Sequence, residues 1–525
     1  MMTSTVEVDK SDWPLAEIEL AVKNLGAERT DLEQLVIPIQ GKNVSRQQIP
    51  NLLKQAYGRL QVLRSIFDEF RQRAASETEV ASLLDQVNST IQPGSEFSLG
   101  ETANSLIALC EQCEKKNCAP ETVAMIRGMQ ALITAAGQEY HKAEEHYAKA
   151  AATPMLSTTL QWQYQIDRVL ALEDFGREFG HEIDGDQGLQ QAIALLQDEI
   201  LELAPMDERP DEWAMTQHIL GNVCGILGQR QSGTRHLENS ISAFKASLTK
   251  RDQKREPLQW AETQNNLGNS YGILAHRQND ETMLGKAIEA FELALEERTR
   301  DAAPSEWATT QNNLAAVLQS LGQRNNDAKM LKRSTEAYKL VLQVWTRQSV
   351  PLIWATTMNN LGTALRLLGE HRRGPKTLEQ SVAAYNSALS ERSREKLPQE
   401  WAMTQNNLGA ALQKLAEREE NVETLTKAIT AYENALKEWT RERAPMAWTM
   451  TMANLGVARR RLAEVTEDIE SAQQAVKELE LVSDAFREAS HAQYSEYSIE
   501  ELAKARKLVS ELEVTMGKYA ALVKH

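Results

Sequence analysis

The sequence contains little of what disulfide scaffolds, sheet proteins and membrane proteins depend on. Its 525 residues include 4 Cys, 14 Pro and 25 Gly. Four cysteines are too few for a disulfide scaffold, and the scarcity of Gly and Pro disfavours the many tight turns of a sheet-rich chain. No apolar run approaches the roughly 20 residues of a membrane-spanning helix, and Met1 to Lys10 do not form a secretory signal. We therefore expect a soluble, cytoplasmic protein with no membrane partner.

Positive charge is also in short supply. The chain has 58 Lys and Arg against 74 Asp and Glu, which gives a net charge of −16. A general nucleic-acid binder needs a positive footprint, so we predict no nucleic-acid partner. Hydrophobic residues make up 42% of the chain, enough to bury a core, and strong helix formers dominate. The composition predicts an all-α protein.

The dominant feature is a repeat of 47 residues, which is visible in columns of tryptophan and proline. A repeat of this length is typical of solenoids and related arrays. The tryptophans are Trp213, Trp260, Trp307, Trp354, Trp401 and Trp448; the prolines, three residues earlier, are Pro210, Pro257, Pro304, Pro351, Pro398 and Pro445. Positions within a repeat are numbered below as offsets from its tryptophan.

Each unit is predicted to contain two helices. The first begins at the proline, which suits a first helical turn, and carries apolar or small residues at offsets 0, 4, 7, 8, 11 and 14. Gly228, Gly322 and Gly369 are predicted to end it in a left-handed conformation. The second helix carries a regular apolar stripe, and the residue at offset 20 is predicted to be its N-cap. The predicted N-caps are Gly233, Asp280, Asp327, Gly374, Asn421 and Asp468.

Neither helix could bury its stripe alone, so pairing and stacking of units predict an α-solenoid. The series Leu267-Gly268, Ala287, Phe291 and Ala294 recurs as Leu408-Gly409, Ala428, Tyr432 and Ala435. At these columns the sequence resembles the tetratricopeptide repeat, although that family's common unit has about 34 residues. The longer units resemble those of kinesin light chains and large bacterial multi-repeat proteins. The resemblance implies a right-handed superhelix of antiparallel helix pairs with a protein or peptide partner in its inner groove.

The regular array is predicted to occupy residues 205–462. Residues 1–92 are read as a helical cap or small helical domain, residues 93–204 as irregular helix pairs of the same kind, and residues 463–525 as a degenerate last unit with capping helices. Within these flanks we predict a connector from Leu35 to Gly41, and capping boxes at Ser45 with Gln48, Ser76 with Glu79 and Ser498 with Glu501.

Residues that carry chemistry are few. Cys110, Cys113 and Cys118 cluster, and His141 or His146 could complete a zinc site. Packing of small buried hydrophobes is the favoured interpretation of these cysteines. No phosphate-binding loop or zinc-protease motif occurs. We therefore predict a non-enzymatic protein without a cofactor or a metal.

The informative polar feature is a pair of asparagines at offsets 5 and 6 of the first helix. Asparagine is a poor residue for a helix interior, so its recurrence needs a reason. In the resembling family, asparagines here hold the backbone of a bound peptide; a ladder of hydrogen bonds between units is the structural alternative, and both functions can coexist. The residues are Asn265, Asn266, Asn312, Asn313, Asn359, Asn360, Asn406, Asn407 and Asn454.

Basic residues appear at offsets 12 and 13 late in the array, namely Arg366, Lys414, Arg460 and Arg461. They predict a basic rail for an acidic segment of the partner, with solvated surface charge as the alternative. A Thr-Arg or Ser-Arg pair at the end of the second helix, as at Thr346-Arg347 and Ser393-Arg394, is predicted to connect neighbouring units.

The function predicted from the sequence is a protein-interaction scaffold. Self-assembly into homo-oligomers or filaments, and a regulatory subunit of a separate effector, are the alternatives.

Overall fold

The structure is a computed structural model, and it describes residues 25–40, 49–74, 81–92, 98–178, 183–488 and 492–522. The regular secondary structure of these residues is helical throughout. The chain divides into two compact units, Met1–Asp252 and Gln253–His525. They are called the N-terminal and the C-terminal unit. Their boundary falls inside the segment that the sequence predicts as a regular array.

The N-terminal unit contains ten helices among its described residues. They are α1 (Arg29–Gln40), α2 (Ile49–Ala74), α3 (Ala81–Ile91), α4 (Leu99–Lys115), α5 (Pro120–Ala136), α6 (Tyr140–Ala151), α7 (Thr158–Glu178), α8 (Ile183–Leu195, continued by a π-helical turn at Leu196–Ile200 and by Leu201–Leu203), α9 (Pro210–Arg230) and α10 (Arg235–Leu248). Helices α9 and α10 form repeat 1.

The C-terminal unit contains repeats 2 to 6 and one further helix. The repeats are α11 (Pro257–Gln278) with α12 (Glu281–Glu297), α13 (Pro304–Arg324) with α14 (Ala328–Val341), α15 (Pro351–Glu370) with α16 (Lys376–Leu389), α17 (Pro398–Glu419) with α18 (Val422–Ala435), and α19 (Pro445–Thr466) with α20 (Ile469–Glu488); α21 (Ala492–Leu522) follows. The predicted solenoid of antiparallel helix pairs is confirmed. Within this unit each second helix packs on the next first helix, and successive first helices also contact one another.

The prolines mark helix starts as predicted. Each first helix of repeats 1 to 6 has its proline in the first turn. Proline suits this place because it has no N–H to leave unsatisfied there. None of the described helices combines the length and the apolar character that crossing a membrane would require.

The predicted helix stops at Gly228, Gly322 and Gly369 are wrong. All three glycines lie inside their helices. At Gly228, for example, an added Cβ would come within 2.7 Å of Leu237 Cδ2 in the second helix. Close packing against the paired helix, rather than a left-handed turn, explains these glycines. The left-handed residues occur one turn later, at offset 19, and are Asn279, Asn326, Glu420 and Glu467.

The predicted N-caps are confirmed in four repeats and wrong in two. Side chains of Asp280, Asp327, Asn421 and Asp468 accept hydrogen bonds from backbone N–H groups of the following turn. Gly233 and Gly374 have no side chain that could accept such a bond. In those repeats the second helix begins two residues later, at Arg235 and Lys376.

An aromatic residue at offset 31 forms the centre of each pair in repeats 1 to 5. These side chains are at most 1% exposed: Phe244, Phe291, Tyr338, Tyr385 and Tyr432. The paired helices approach closely at the glycine of offset 8, since a Cβ on Gly409 would lie 2.7 Å from Tyr432 Cε1. Ser381 Oγ also donates to Gly362 O at 2.6 Å, so offset 27 of the second helix faces offset 8 of the first.

Two predictions, one near each end of the chain, are wrong. Pro38, predicted to lie in a connector, is inside α1, because Leu32, Leu35 and Ile39 form a fully buried helical stripe. Ser498, predicted to cap the last helix, lies inside α21 and is buried. The predicted capping boxes at Ser45 with Gln48 and at Ser76 with Glu79 lie outside the described residues.

Candidate partner-binding face

The first helices of the C-terminal unit share one face that points away from the second helices. A helix turns by about 100° per residue, so offsets 2, 9 and 13 lie opposite the buried stripe. In repeat 3, Thr309 at offset 2 is half-buried and Ala316 at offset 9 is exposed. This side, on which successive first helices contact one another, is called the inner face. The asparagines at offsets 5 and 6 lie at its edges.

The asparagines connect neighbouring repeats. Asn313 Nδ2 donates to Asn265 Oδ1 at 3.3 Å, across the boundary between repeats 2 and 3. The same bond recurs from Asn407 to Asn359 at 3.2 Å, and from Asn454 to Asn406 at 3.4 Å. In each case offset 6 of one repeat donates to offset 5 of the preceding repeat. The hydrogen-bonded ladder considered from the sequence is therefore present at these three boundaries.

Two of the offset-5 asparagines are less accessible than the other asparagines of the ladder. Asn265 and Asn359, at offset 5, are only 5% and 3% exposed. Asn265 Nδ2 also donates to Asn266 Oδ1 at 3.0 Å. The offset-6 residues are half-buried, as are Asn312 and Asn406. A ligand on the inner face would reach the offset-6 amides, whereas Asn265 and Asn359 serve the packing of the repeats.

The basic residues predicted to form a rail are neutralised by nearby carboxylates. Arg366 pairs with Glu370, Lys414 Nζ lies 2.9 Å from Glu417 Oε2, and Arg461 Nη1 lies 3.2 Å from Glu464 Oε2. The three acidic partners all stand at offset 16, three or four residues further along the helix. Pairs at this spacing face each other on a helix surface.

Arg460 is removed from the accessible face altogether. Its side chain is 5% exposed, and its Nη2 lies 3.0 Å from Glu501 Oε2 of α21. Arg460 also pairs with Glu464. A buried and doubly paired guanidinium of this kind holds α21 against α19 rather than receiving a partner. The positive rail on the inner face is accordingly much weaker than the sequence alone indicates.

The predicted connection through the Thr-Arg and Ser-Arg pairs is present. Arg347 Nε donates to Glu391 Oε1 of the next repeat at 2.5 Å, and its guanidinium carbon lies 5.7 Å from the centre of the Trp354 ring. Arg394 makes the same two contacts one repeat later, with Glu438 and Trp401. Ion pairing and cation–π contact both favour a fixed relation between neighbours.

A second set of hydrogen bonds between neighbouring repeats is not predicted from the sequence. Arg392 Nη1 donates to Thr404 Oγ1 at 2.9 Å, and Arg298 Nη1 donates to Thr310 Oγ1 at 3.1 Å. Both arginines stand at offset 38 and are less than 10% exposed. The regular threonine column at offset 3 was the available signal, because a buried hydroxyl needs a hydrogen-bond partner.

The cysteines are packing residues in this structure. Cys110 and Cys113 are buried in the core around α1 to α5, and burial raises the pKa of the Cys110 thiol. His141, one of the considered ligands, packs against Phe175 instead, with 4.2 Å between ring centres and the ring planes tilted by 53°. No group of three or more His, Cys, Asp or Glu able to hold a metal ion occurs among the described residues.

The comparison with known proteins supports the fold. A family model described as tetratricopeptide repeat matches residues 307–344. Repeat 3 is a tetratricopeptide repeat. The match confirms the resemblance inferred from the repeat columns, and it supports a protein-interaction scaffold in general terms. No curated protein matches this chain.

Several solved structures are similar to the chain. A signal transduction ATPase (STAND protein) with a tetratricopeptide repeat sensor from Pyrococcus horikoshii is 12% identical, covers 96% of this chain and 74% of its own, and has a TM-score of 0.42. Human IFIT1 with m7Gppp-AAAA is 14% identical, with 95% of each chain covered and a TM-score of 0.38. A Rap protein complexed with competence and sporulation factor is 11% identical, covers 74% of this chain and 99% of its own, and has a TM-score of 0.33.

Proposed function

We propose that the chain is a non-enzymatic scaffold that binds an extended segment of a protein partner on the inner face of its C-terminal unit. The observation that carries this proposal is the row of half-buried amides at offset 6, from Asn266 to Asn454. They recur once per repeat on one side of the first helices.

The ladder and a bound segment can use the same amides. An asparagine side chain offers two N–H donors and a carbonyl acceptor. The bond from Asn313 to Asn265 uses one of those donors and orients the group. The second donor and the carbonyl oxygen suit the backbone of an extended peptide, which presents both a donor and an acceptor in every residue. Preorganised amides lower the ordering cost of binding.

The ion pairs of the basic residues at offsets 12 and 13 determine which kind of partner segment suits the inner face. Because Arg366, Lys414 and Arg461 each have a carboxylate partner, an acidic segment gains little from this face. Exposed ion pairs contribute little net attraction, and salt screens them. An uncharged, extended segment therefore suits the inner face better than the acidic one predicted from the sequence.

Site-specific photo-crosslinking tests this proposal. A photoreactive amino acid is introduced at Thr309 or Ala316 on the inner face, and at Glu289 on α12 as the matched outer position. Ala316 and Glu289 are exposed, and Thr309 is half-buried. Irradiation in the native cell extract is followed by mass spectrometry of the adducts. We expect one partner segment to crosslink from both inner positions and not from Glu289. Equal adducts from all three positions, or none from the inner pair, would contradict the proposal.

Self-assembly is the second candidate, because α21 exposes large apolar side chains. Ile499, Val514 and Met516 are 57%, 55% and 53% exposed. If copies associate through this helix, light scattering should show a mass that rises with concentration, and the double variant Val514→Glu/Met516→Glu should abolish that rise. A monomer at every concentration would exclude this function.

A further inference from the structure

A cleft of about 380 Å³ opens between α14 and α16, the second helices of repeats 3 and 4. Leu365 and Leu368 of α15 form its floor. They stand at offsets 11 and 14, on the stripe of the first helix that faces the second helices. The cleft therefore opens on the side opposite the inner face, and it is called the outer cleft.

The rim of the outer cleft is basic. Lys332 and Lys339 of α14 lie on one side, and Arg372 and Lys376 lie on the other. Glu336 also lines the cleft, where its carboxylate is 3.6 Å from Lys332 Nζ.

Three of these cations are not neutralised. Lys339, Arg372 and Lys376 form no ion pair with any carboxylate in the described part of the chain. Arg418 of α17 donates a hydrogen bond to the backbone carbonyl oxygen of Arg372, which brings a further guanidinium to the loop that carries this rim.

The neighbouring cleft, one repeat later, differs in charge. It measures about 510 Å³ and has a similar floor of Leu408, Leu412 and Leu415. Lys427 is the cation that lines it, and its Nζ lies 2.8 Å from Glu423 Oε1. The two clefts thus share an aliphatic floor, whereas unpaired positive charge is concentrated at the outer cleft of a protein with net charge −16.

We propose that the outer cleft binds an acidic peptide segment that carries an aliphatic side chain. Carboxylates of the segment would face Lys339, Arg372 and Lys376, and the aliphatic side chain would bury its own surface on the remaining exposed 3% of Leu365 and 6% of Leu368. An exposed ion pair contributes little by itself, so recognition requires several such pairs together with apolar burial. A small anion such as phosphate would leave the apolar floor uncovered. This site is separate from the inner face and does not depend on the function proposed for that face.

Fluorescence anisotropy with the full-length protein tests the proposal. The probe is a fluorescein-labelled peptide of sequence Glu-Glu-Leu-Glu-Glu-Leu-Glu-Glu. We expect saturable binding that weakens by about tenfold or more in the double variant Lys339→Glu/Lys376→Glu, because attraction becomes repulsion at two rim positions. The control Lys396→Glu/Lys427→Glu changes the net charge equally at exposed positions outside the outer cleft, and it should bind as the wild type does. Arg372→Glu, a loop substitution outside the helices, should weaken binding in the same direction.

Three results would overturn the proposal. The first is equal affinity of the rim variants and the control, with circular dichroism showing that all are folded. The second is undiminished binding of a peptide in which Gln replaces every Glu. The third is displacement of the probe by inorganic phosphate but not by sodium chloride of equal ionic strength, which would identify a small-anion site. Crosslinking from Thr309 and Ala316 is measured separately, so failure here leaves the test of the inner face intact.

Discussion

Arg460 of α19 and Glu501 of α21 form a buried ion pair, with 3.0 Å between Nη2 and Oε2 and both side chains less than 10% exposed. We expect Glu501→Ala to destabilise the C-terminal unit by about 1–3 kcal/mol, because the buried guanidinium of Arg460 then keeps only Glu464 as its partner. Hydrogen exchange should show the loss of protection first in α21. Since apolar replacement of a whole buried pair is often neutral, Arg460→Met/Glu501→Leu should recover most of the stability. Failure of the double variant to recover would mean that the pair also determines how α21 docks.

The carboxyl group of Asp167 in α7 gives the N-terminal unit a pH dependence. Burial raises its pKa to about 6, so the folded state holds the proton more tightly than the unfolded state does. Its contribution to stability is therefore fully present below about pH 4 and is lost as the pH rises towards about 6. We expect Asp167→Asn to stabilise the protein at pH 7 by roughly 1–2 kcal/mol, a value reduced for partial exposure to solvent.

Thermal unfolding of the Asp167→Asn variant at pH 4 and pH 7 provides the measurement. The difference from the wild type should be large at pH 7 and small at pH 4. A difference that is the same at both pH values would show that the carboxyl group keeps an ordinary pKa.

Adding one methyl group at Gly409 should lower the stability of the protein. The added Cβ would lie 2.7 Å from Tyr432 Cε1, in the centre of repeat 5. We expect Gly409→Ala to lower the stability by about 1–3 kcal/mol through overpacking, despite the better helix propensity of alanine. Gly285 in α12 is the matched control, because its Cβ would meet nothing within 4 Å. Gly285→Ala should stabilise the protein by roughly 0.5–1 kcal/mol. Urea denaturation of both variants compares the two signs directly.

The buried ladder residue Asn359 should contribute to stability rather than to binding. It accepts from Asn407 and donates to Asn360. We expect Asn359→Ala to cost about 1–2 kcal/mol, because the amide of Asn407 loses its acceptor. The companion variant Asn360→Ala changes a half-buried amide and should affect stability less while weakening partner crosslinking from Thr309. Equal destabilisation by both variants, with crosslinking unchanged, would assign both columns to repeat packing.

The sequence predicts local features of the fold well. Helix starts at Pro257 or Pro398 follow from the proline itself, and caps such as Asp280 and Asn421 need only a side chain and the next turn. The prediction at Gly228 is wrong because a glycine near a helix end can mark either a turn or a close contact, and only the position of Leu237 distinguishes the two. Pro38 inside α1 is an error of the same kind, since a buried stripe outweighs the local signal of proline.

The net charge of the candidate site is harder to predict from the sequence, because it depends on which carboxylates pair with the basic residues. A helical wheel gives the direction of Arg366 and Lys414 but not the ion pairs that neutralise them. The sequence does contain an acidic column at offset 16, and its spacing of three or four residues from these cations is the spacing at which ion pairs form on a helix. Burial of Arg460 could not be inferred, because it depends on where α21 packs.

The direction of the asparagine ladder makes the length of the array adjustable in steps of 47 residues. Every observed bond runs from offset 6 of one repeat to offset 5 of the repeat before it. Removal of residues 351–397 would bring Asn407 against Asn312 and Arg347 against Glu438, so each donor would meet the same kind of acceptor as before. Excision of this repeat therefore preserves the ladder and the Arg–Glu bridge at the new junction, whereas the bridge from Arg392 to Thr404 is lost because offset 38 of repeat 3 is Trp345. A scaffold of this design can be shortened by one repeat with most of its interface contacts retained.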